Sequence, residues 1–289
     1  MWLMDDTAGN NGCPGEGWSI ITSSGANSQL ASVLAGFVFT GIVLLVDRRG
    51  SRRNTQALGL FAATLVVLGF CSYLFSLVTG GSSDPYCKRV WAEGMTASGG
   101  LALGGFALIT SVCWLLAAHV ERMGESAHAD GLALDRLATV MIIGVAAGIM
   151  LLLGMTASDY LDVATNRAAP WYLAPGLPLL VIALTAAAGF PRVRLGTGRR
   201  SSASILNFAL YGTLLYGIAA PVCAGLFIGL PDSNWLDERP SPPPIIAGCL
   251  TIGLLLPAVL LVAIVHATPR IVSRASVTTQ PPAEQESLQ

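Results

Sequence analysis

Residues 28–46 read SQLASVLAGFVFTGIVLLV and contain no charged side chain, whereas residues 47–54, DRRGSRRN, contain four arginines. A helix of about 20 apolar residues is as long as the hydrocarbon core of a bilayer is thick, roughly 30 Å. Arginines that follow such a run usually remain on the cytoplasmic side of the membrane. This stretch therefore predicts a membrane-spanning helix whose C-terminal end faces the cytoplasm.

The rest of the chain shows the same alternation of long apolar runs and short charged clusters. Of the 289 residues, 53% are hydrophobic and 11% are charged, compared with about 25% charged in an ordinary soluble domain. So few charges could not cover a water-soluble surface of this size, so the expected surroundings are the lipid bilayer. The formal net charge is −1 and no segment is strongly basic, so nothing indicates nucleic-acid binding.

Seven runs are long enough to cross a bilayer. Each must satisfy its own backbone hydrogen bonds in hydrocarbon, so helices are expected. The predicted fold is an all-α seven-transmembrane-helix bundle over residues 28–267, between an N-terminal segment, 1–27, and a polar tail, 268–289, expected to be disordered. The predicted spans are Ser28–Val46, Ala57–Thr79, Met95–Val120, Leu137–Ala157, Tyr172–Phe190, Ser204–Leu230 and Ile245–Ala267.

Lysine and arginine are distributed unevenly between the two sides that seven spans define. The side with DRRGSRRN carries 12 of the 16 basic residues, and the other side carries 4. The loops are short enough for such a bias to set the direction of insertion. We therefore predict an extracytoplasmic N-terminal segment, a cytoplasmic tail and a location in the plasma (inner) membrane, with the arginine-, alanine- and glycine-rich composition favouring a bacterial source.

A second arginine-rich stretch, RVRLGTGRR at residues 192–200, follows the fifth span as DRRGSRRN follows the first. Shifting the chain by about 147 residues places the first three spans on the last three, with the fourth as a linker. This 3+1+3 layout is similar to that of small sugar facilitators built from parallel repeats. Their proline–glutamine turn is not found here and identities across the shift are few, so the layout is a hypothesis of duplication and assigns no family.

Charged residues are absent from the spans as drawn. A charge at the bilayer centre costs about 2.5–3.5 kcal/mol on insertion scales and is kept mainly for function. Proton-coupled carriers and voltage sensors are therefore not favoured. The only lysine, Lys88, is assigned to an outer loop, which excludes a retinal Schiff base in the last span. No catalytic motif is found, so an enzyme is not favoured and no cofactor is predicted.

A few uncharged polar residues and histidines remain as candidate ligands. Asn207 and Tyr211 lie four residues apart on the sixth span, and Tyr216 adds a hydroxyl to the same span. They are the candidate site for a small neutral solute, with interhelical hydrogen bonding as the simpler interpretation. His119 and His266 lie at the cytoplasmic ends of their spans. A haem or metal between them is the less favoured interpretation, and an imidazole that caps a helix end is the favoured one.

Glycine spacing predicts close helix packing. Gly100 and Gly104 in the third span, and Gly144 and Gly148 in the fourth, have the small-xxx-small spacing that lets helix backbones approach closely. Contact within this bundle is the simpler interpretation. Contact with a second copy of the chain or with a partner membrane protein is the alternative.

Two prolines and two cysteines complete the candidate residues. Pro221 and Pro257 lie inside the sixth and seventh spans, where each removes a backbone donor and is expected to bend its helix. Cys13 and Cys87 both fall in segments predicted to lie outside the cytoplasm, where disulfides persist. They are a candidate disulfide, although the sequence gives no distance between them.

The tryptophans follow the predicted topology. Trp2, Trp18, Trp91, Trp171 and Trp235 all fall on the predicted outer side. An interfacial belt is the simpler interpretation, because an indole keeps its ring at the acyl boundary and its N–H in water. The alternative is an outward cup for a cationic or sugar ligand, formed by these rings with the acids Asp84, Glu93, Asp159, Asp162, Asp232, Asp237 and Glu238.

The sequence does not name an activity. The leading hypothesis is an accessory or interaction subunit of a membrane complex, motivated by an uncharged bundle with glycine ridges. The first alternative is a facilitator-type transporter for a small neutral solute, and a membrane enzyme or haem-binding protein is less favoured. A solvent-connected cavity that reaches Asn207 would favour transport, whereas a filled core with an exposed glycine groove would favour a partner.

Overall fold

The structure, a computed structural model, describes residues 19–46, 52–80, 87–123, 128–166, 199–236 and 240–267, together with positions 176, 179 and 183. Within these ranges the regular elements are helices, and no strand occurs. A one-turn 3₁₀-helix, Asp232–Asn234, lies between the last two helices. The helices are α1 (Ile20–Val46), α2 (Arg52–Gly80), α3 (Cys87–Met123), α4 (His128–Thr165), α5 (Arg199–Ile228) and α6 (Pro243–Ala267).

These six helices are each long and apolar enough to cross a membrane. Many of their large apolar side chains point away from the protein, with Phe37, Leu44 and Leu215 each more than 60% exposed. Such a surface is unfavourable in water and costs nothing in hydrocarbon. The all-α integral membrane class predicted from composition is therefore confirmed.

Parts of the predicted topology concern residues that the structure does not describe. The fifth predicted span, Tyr172–Phe190, lies outside the described residues except at positions 176, 179 and 183, as do residues 1–18 and the tail, 268–289. Seven spans, the 3+1+3 repeat and the direction of insertion therefore stay predictions.

The described helices define two ends of the bundle. One buried cluster joins Ile20 of α1, Cys87 of α3, Tyr160 of α4 and Ile245 of α6. We call this end the Cys87 end. The opposite end, where α1 finishes at Val46 and α2 begins, is called the Val46 end.

Helix boundaries differ from the hydropathy limits because polar side chains can be satisfied within a helix. Helix α1 begins at Ile20 rather than at Ser28, and Ser19 accepts a hydrogen bond at its Oγ from the N–H of Thr22 (3.4 Å). Ser24 donates its hydroxyl to the Ile20 carbonyl (2.5 Å), so this polar stretch remains helical. The C-terminal end of α4 is set differently. Asn166 follows the helix in a left-handed conformation (φ 54°), which ends it.

Helix α3 lies at the centre of the bundle and contacts each of the other five described helices. Two of its glycines face α2: a Cβ on Gly104 would lie 2.6 Å from Leu68 Cδ2, and a Cβ on Gly100 would lie 3.4 Å from Cys71 Cβ. These two predicted packing positions therefore contact a neighbouring helix of the same chain.

A serine cluster joins α1 to α2. The Ser72 hydroxyl donates to the Ser28 carbonyl (3.1 Å) and lies 2.7 Å from Ser32 Oγ. The Ser28 hydroxyl donates in turn to the Ser72 carbonyl (2.9 Å). Because α1 is the least buried of the six helices, this reciprocal bonding is a main polar contribution to its position.

Candidate functional site

The residues predicted to bind a neutral solute are not brought together. Tyr211 is 65% exposed on the outer surface of α5, and Asn207 is exposed on the same face, whereas Tyr216 is 3% exposed in the core. Helix geometry explains the separation, because five residues rotate a side chain by about 140° around the axis. Asn207 and Tyr211 thus share a face, and Tyr216 lies on a different one.

The cavity beside Asn207 is small. It has a volume of about 40 Å³ and is lined by Gln56, Trp114 and Asn207 together with apolar side chains of α2, α5 and α6. Ligand pockets are usually about 300–1,000 Å³. This cavity is smaller than that range, so it adds no support to the predicted solute site at Asn207.

Tyr216 instead ties α5 to α6. Its hydroxyl donates to the Ile252 carbonyl (3.1 Å), within a π-helical turn, Thr251–Leu255, that interrupts α6. Pro257 follows this turn and has no N–H to donate to the Gly253 carbonyl, four residues earlier. The predicted effect of Pro257 therefore coincides with a local change of helix type. Pro221 lies inside α5, which continues from Arg199 to Ile228 around it.

The π-helical turn is also where α3 and α6 come closest. A Cβ on Gly99 would lie 2.5 Å from the Gly253 carbonyl oxygen and 2.8 Å from Tyr216 Oη. A Cβ on Gly253 would lie 2.7 Å from Met95 Cγ. The hydroxyl of Tyr216 is thus enclosed by backbone and occupied by a hydrogen bond, which matches a packing role more closely than a ligand site.

Charged side chains occur inside α3 at the Cys87 end. Hydropathy predicted that this span begins at Met95, whereas the helix begins at Cys87. Lys88 is in the first turn of α3, not in a loop, and is 1% exposed. Its Nζ donates to the Leu236 carbonyl (3.3 Å). Arg89 donates from Nε to Glu93 Oε1 (3.1 Å) one turn further. The assignment of Lys88 to an outer loop is therefore wrong, because α3 begins at Cys87 rather than at Met95. The predicted span itself, Met95–Val120, contains no charged residue.

The tryptophans at this end do not form an interfacial belt. Trp91 and Trp235 are both fully buried, and they pack in the same cluster as Tyr160 and Cys249. The belt prediction is wrong for these two residues, and buried rings do not form an open cup. Trp2, Trp18 and Trp171 lie outside the described residues. The buried rings fasten the connection before α6 onto the start of α3.

Cys87 forms a disulfide bond, whereas Cys71, Cys113, Cys223 and Cys249 are free. Cys13 lies outside the described residues. Its pairing with Cys87 therefore stays a prediction.

The histidine pair has little support as a cofactor site. The Nδ1 of His266 lies 2.8 Å from the Val262 carbonyl oxygen, one turn earlier in α6. The side chain of His119 is outside the described part of the chain. Among the residues that the structure describes, no group of three or more His, Cys, Asp or Glu side chains could hold a metal ion.

The second predicted glycine pair contacts none of the residues that the structure describes. Gly144 and Gly148 are exposed on α4, and a Cβ on either would have no atom within 4 Å. Large apolar side chains flank the pair on the same face, at spacings that alternate between four and three residues. The exposed stripe, which we call the α4 face, consists of Leu137, Met141, Gly144, Gly148, Leu151 and Met155.

Known proteins give no further information on this site. No protein-family model matches the chain, and neither a curated protein nor a solved structure matches it. The fold and the sites define an integral membrane protein, and its role is inferred from its surfaces.

Proposed function

We propose that this chain is an accessory or interaction subunit of a membrane complex, and that the α4 face is the surface on which a partner helix packs. The observation that carries the proposal is the open glycine pair, Gly144 and Gly148, at the centre of that face. Lipid alone requires no such pair, because exposed helix positions in a bilayer accept larger residues equally well.

The spacing of the α4 face supports a helix as the partner. Apolar positions that repeat every 3.5 residues on average form the seam along which two helices pack at a shallow left-handed angle. Between helices in lipid, association depends on van der Waals contact, and small residues at the centre bring the backbones close enough to make it. The large side chains at both ends of the α4 face would then pack against the partner helix on either side of the glycine pair.

The proposal is tested by filling the glycine pair. Gly144→Leu and Gly148→Leu place a bulky side chain on the α4 face without a clash inside the described part of the bundle. Gly36→Leu on α1 is the matched control, since Gly36 is also exposed with no atom within 4 Å of its Cβ. The tagged chain is extracted in mild detergent, and complex mass is measured by light scattering.

We expect the wild type and the Gly36→Leu control to run in a complex larger than one 30.0 kDa chain. The two α4 variants should lose that complex while keeping the unfolding temperature of the control. An identical solitary mass for all four proteins would contradict the proposal. So would a lower unfolding temperature confined to the α4 variants, because the face would then be covered from within the chain, for example by residues 172–190.

The facilitator hypothesis receives less support from the described residues. Its candidate side chains are dispersed, and the cavity at Asn207 is about 40 Å³. Solute uptake into liposomes that contain the purified protein, measured over a broad panel of neutral solutes, tests this alternative. Uptake above that of empty liposomes would revive it.

A further inference from the structure

An open groove lies on the side of the bundle at the Val46 end. It has a volume of about 510 Å³, and helices α1 to α4 all contribute to its lining. Helix α3 lines it from Leu108 to Leu116, Phe37 and Gly41 come from α1, and Ala138 comes from α4. The volume is within the range of small-molecule sites, roughly 300–1,000 Å³.

The lining determines the chemistry of what can be buried there. Sulfur atoms of Cys113 and Met141 are the only side-chain heteroatoms among the described lining residues, and the rest is hydrocarbon. A polar group placed in this groove would lose its hydrogen bonds to water without replacement, which is costly. The buried part of a ligand must therefore be apolar.

The length of the groove fits an acyl chain. Leu108 to Leu116 spans about 12 Å along the helix axis. One hydrocarbon leaflet is roughly 15 Å thick. A groove of that length, which opens sideways from the bundle and runs towards the Val46 end, can hold a lipid chain in its ordinary direction.

The Val46 end also carries positive charge for a headgroup. Arg136 is exposed on α4 and immediately precedes Leu137, which lines the groove. Helix α2 begins at this end with Arg52 and Arg53. Helix α5 also begins at this end, with Arg199 and Arg200. Basic side chains beside a groove between helices are the usual features of a site for anionic lipid.

We propose that this groove is a specific binding site for an anionic phospholipid. One acyl chain lies along α3 between α1 and α4, and the phosphate group pairs with Arg136 at the mouth of the groove. Gly144 and Gly148 do not line the groove, although Leu137 and Met141 belong both to the groove and to the end of the α4 face. The lipid site is therefore tested at Val112 and Arg136, which are not part of the α4 face.

Retention of lipid by the purified full chain tests the site. The protein is equilibrated with equal amounts of phosphatidylglycerol and phosphatidylcholine of the same chain length, and bound lipid is counted by native mass spectrometry. Arg136→Gln removes the charge at the mouth, with Arg274→Gln as the control for net charge. Val112→Trp fills the groove, with Val222→Trp, at an exposed position on α5, as the control for an added indole.

The wild type should retain phosphatidylglycerol in preference to phosphatidylcholine. Arg136→Gln should reduce that preference by about fivefold, the effect of one basic side chain beside an anionic lipid, while Val112→Trp should remove bound lipid of both kinds. Both controls should behave as the wild type. Equal retention of the two lipids by the wild type would overturn the proposal, as would unchanged retention by Val112→Trp. A cross-link from Val112→Cys to residues 172–190 would also overturn it, because the groove would then be filled by the chain itself.

Discussion

Replacing Gly99 by alanine adds a single methyl group where α3 contacts the π-helical turn of α6. The new Cβ would lie 2.5 Å from the Gly253 carbonyl oxygen and 2.8 Å from Tyr216 Oη. The first atom belongs to the backbone, and the second is held by its hydrogen bond to Ile252. Neither can withdraw without moving a helix, so α3 and α6 must separate or α3 must shift.

The magnitude follows from comparison within the same helix. Overpacking of a well-packed core costs about 1–3 kcal/mol, and a clash with backbone belongs at the upper end of that range. Gly105→Ala is the control, because a Cβ there has no atom within 4 Å. Helix propensity changes equally in both variants, so we expect Gly99→Ala to unfold with a free energy about 3 kcal/mol lower than Gly105→Ala. Gly100→Ala, with Cys71 Cβ at 3.4 Å, should stay within about 1 kcal/mol of that control.

The measurement is reversible unfolding of the purified protein by sodium dodecyl sulfate in mixed micelles. Exposure of the buried free thiols of Cys71 and Cys249 to a fluorescent maleimide provides a second probe of the same transition. Equal stability of Gly99→Ala and Gly105→Ala would refute the close approach of α3 and α6. A loss at Gly105 alone would refute the assignment of which face of α3 is packed.

Three further predictions concern single contacts and topology. Tyr216→Phe should lower the free energy of unfolding by about 1 kcal/mol, because it leaves an enclosed α6 carbonyl without its donor, whereas Tyr211→Phe, on the exposed surface, should have no effect in the same titration. Cys87→Ser and Cys13→Ser should each abolish the mobility difference between reduced and non-reduced protein on a gel, and a difference that survives Cys13→Ser would identify another partner for Cys87. Ser126→Cys, in the connection between α3 and α4, should react with an impermeant maleimide only after the cells are opened, and labelling of intact cells would reverse the direction of insertion inferred from arginine placement.

Helix geometry alone separates the candidate side chains of α5. The spacing of Tyr211 and Tyr216 already places them about 140° apart on a helix. Burial of the second and exposure of the first therefore follow once either face is known. The sequence of α5 alone does not show which of the two tyrosines points towards the core. A helix in lipid carries apolar residues on all of its sides, so hydrophobicity does not mark the buried side.

The same ambiguity explains the errors at the Cys87 end. Trp91 and Lys88 are residue types that are common at the membrane–water interface, where indoles and amines reach water. Both are buried because the connection containing Trp235 and Leu236 covers the first turn of α3. The hydrogen bond from Lys88 to Leu236 joins residues 148 positions apart in the chain. A local sequence pattern does not predict such a contact.

The amino-acid sequence by itself determined the solvent, the element type and the approximate extent of the described spans, because a bilayer imposes a fixed length and requires each segment to satisfy its own backbone hydrogen bonds. Only the tertiary structure decided which glycines are enclosed and which remain open. Gly100 and Gly144 are each followed by a second glycine four residues later. Gly100 nevertheless contacts α2, whereas a Cβ on Gly144 would meet no atom of the described helices within 4 Å. The physical reason is that hydrophobicity does not separate the inside of a membrane bundle from its outside, so that burial is set by the complementary shapes of helices far apart in the chain.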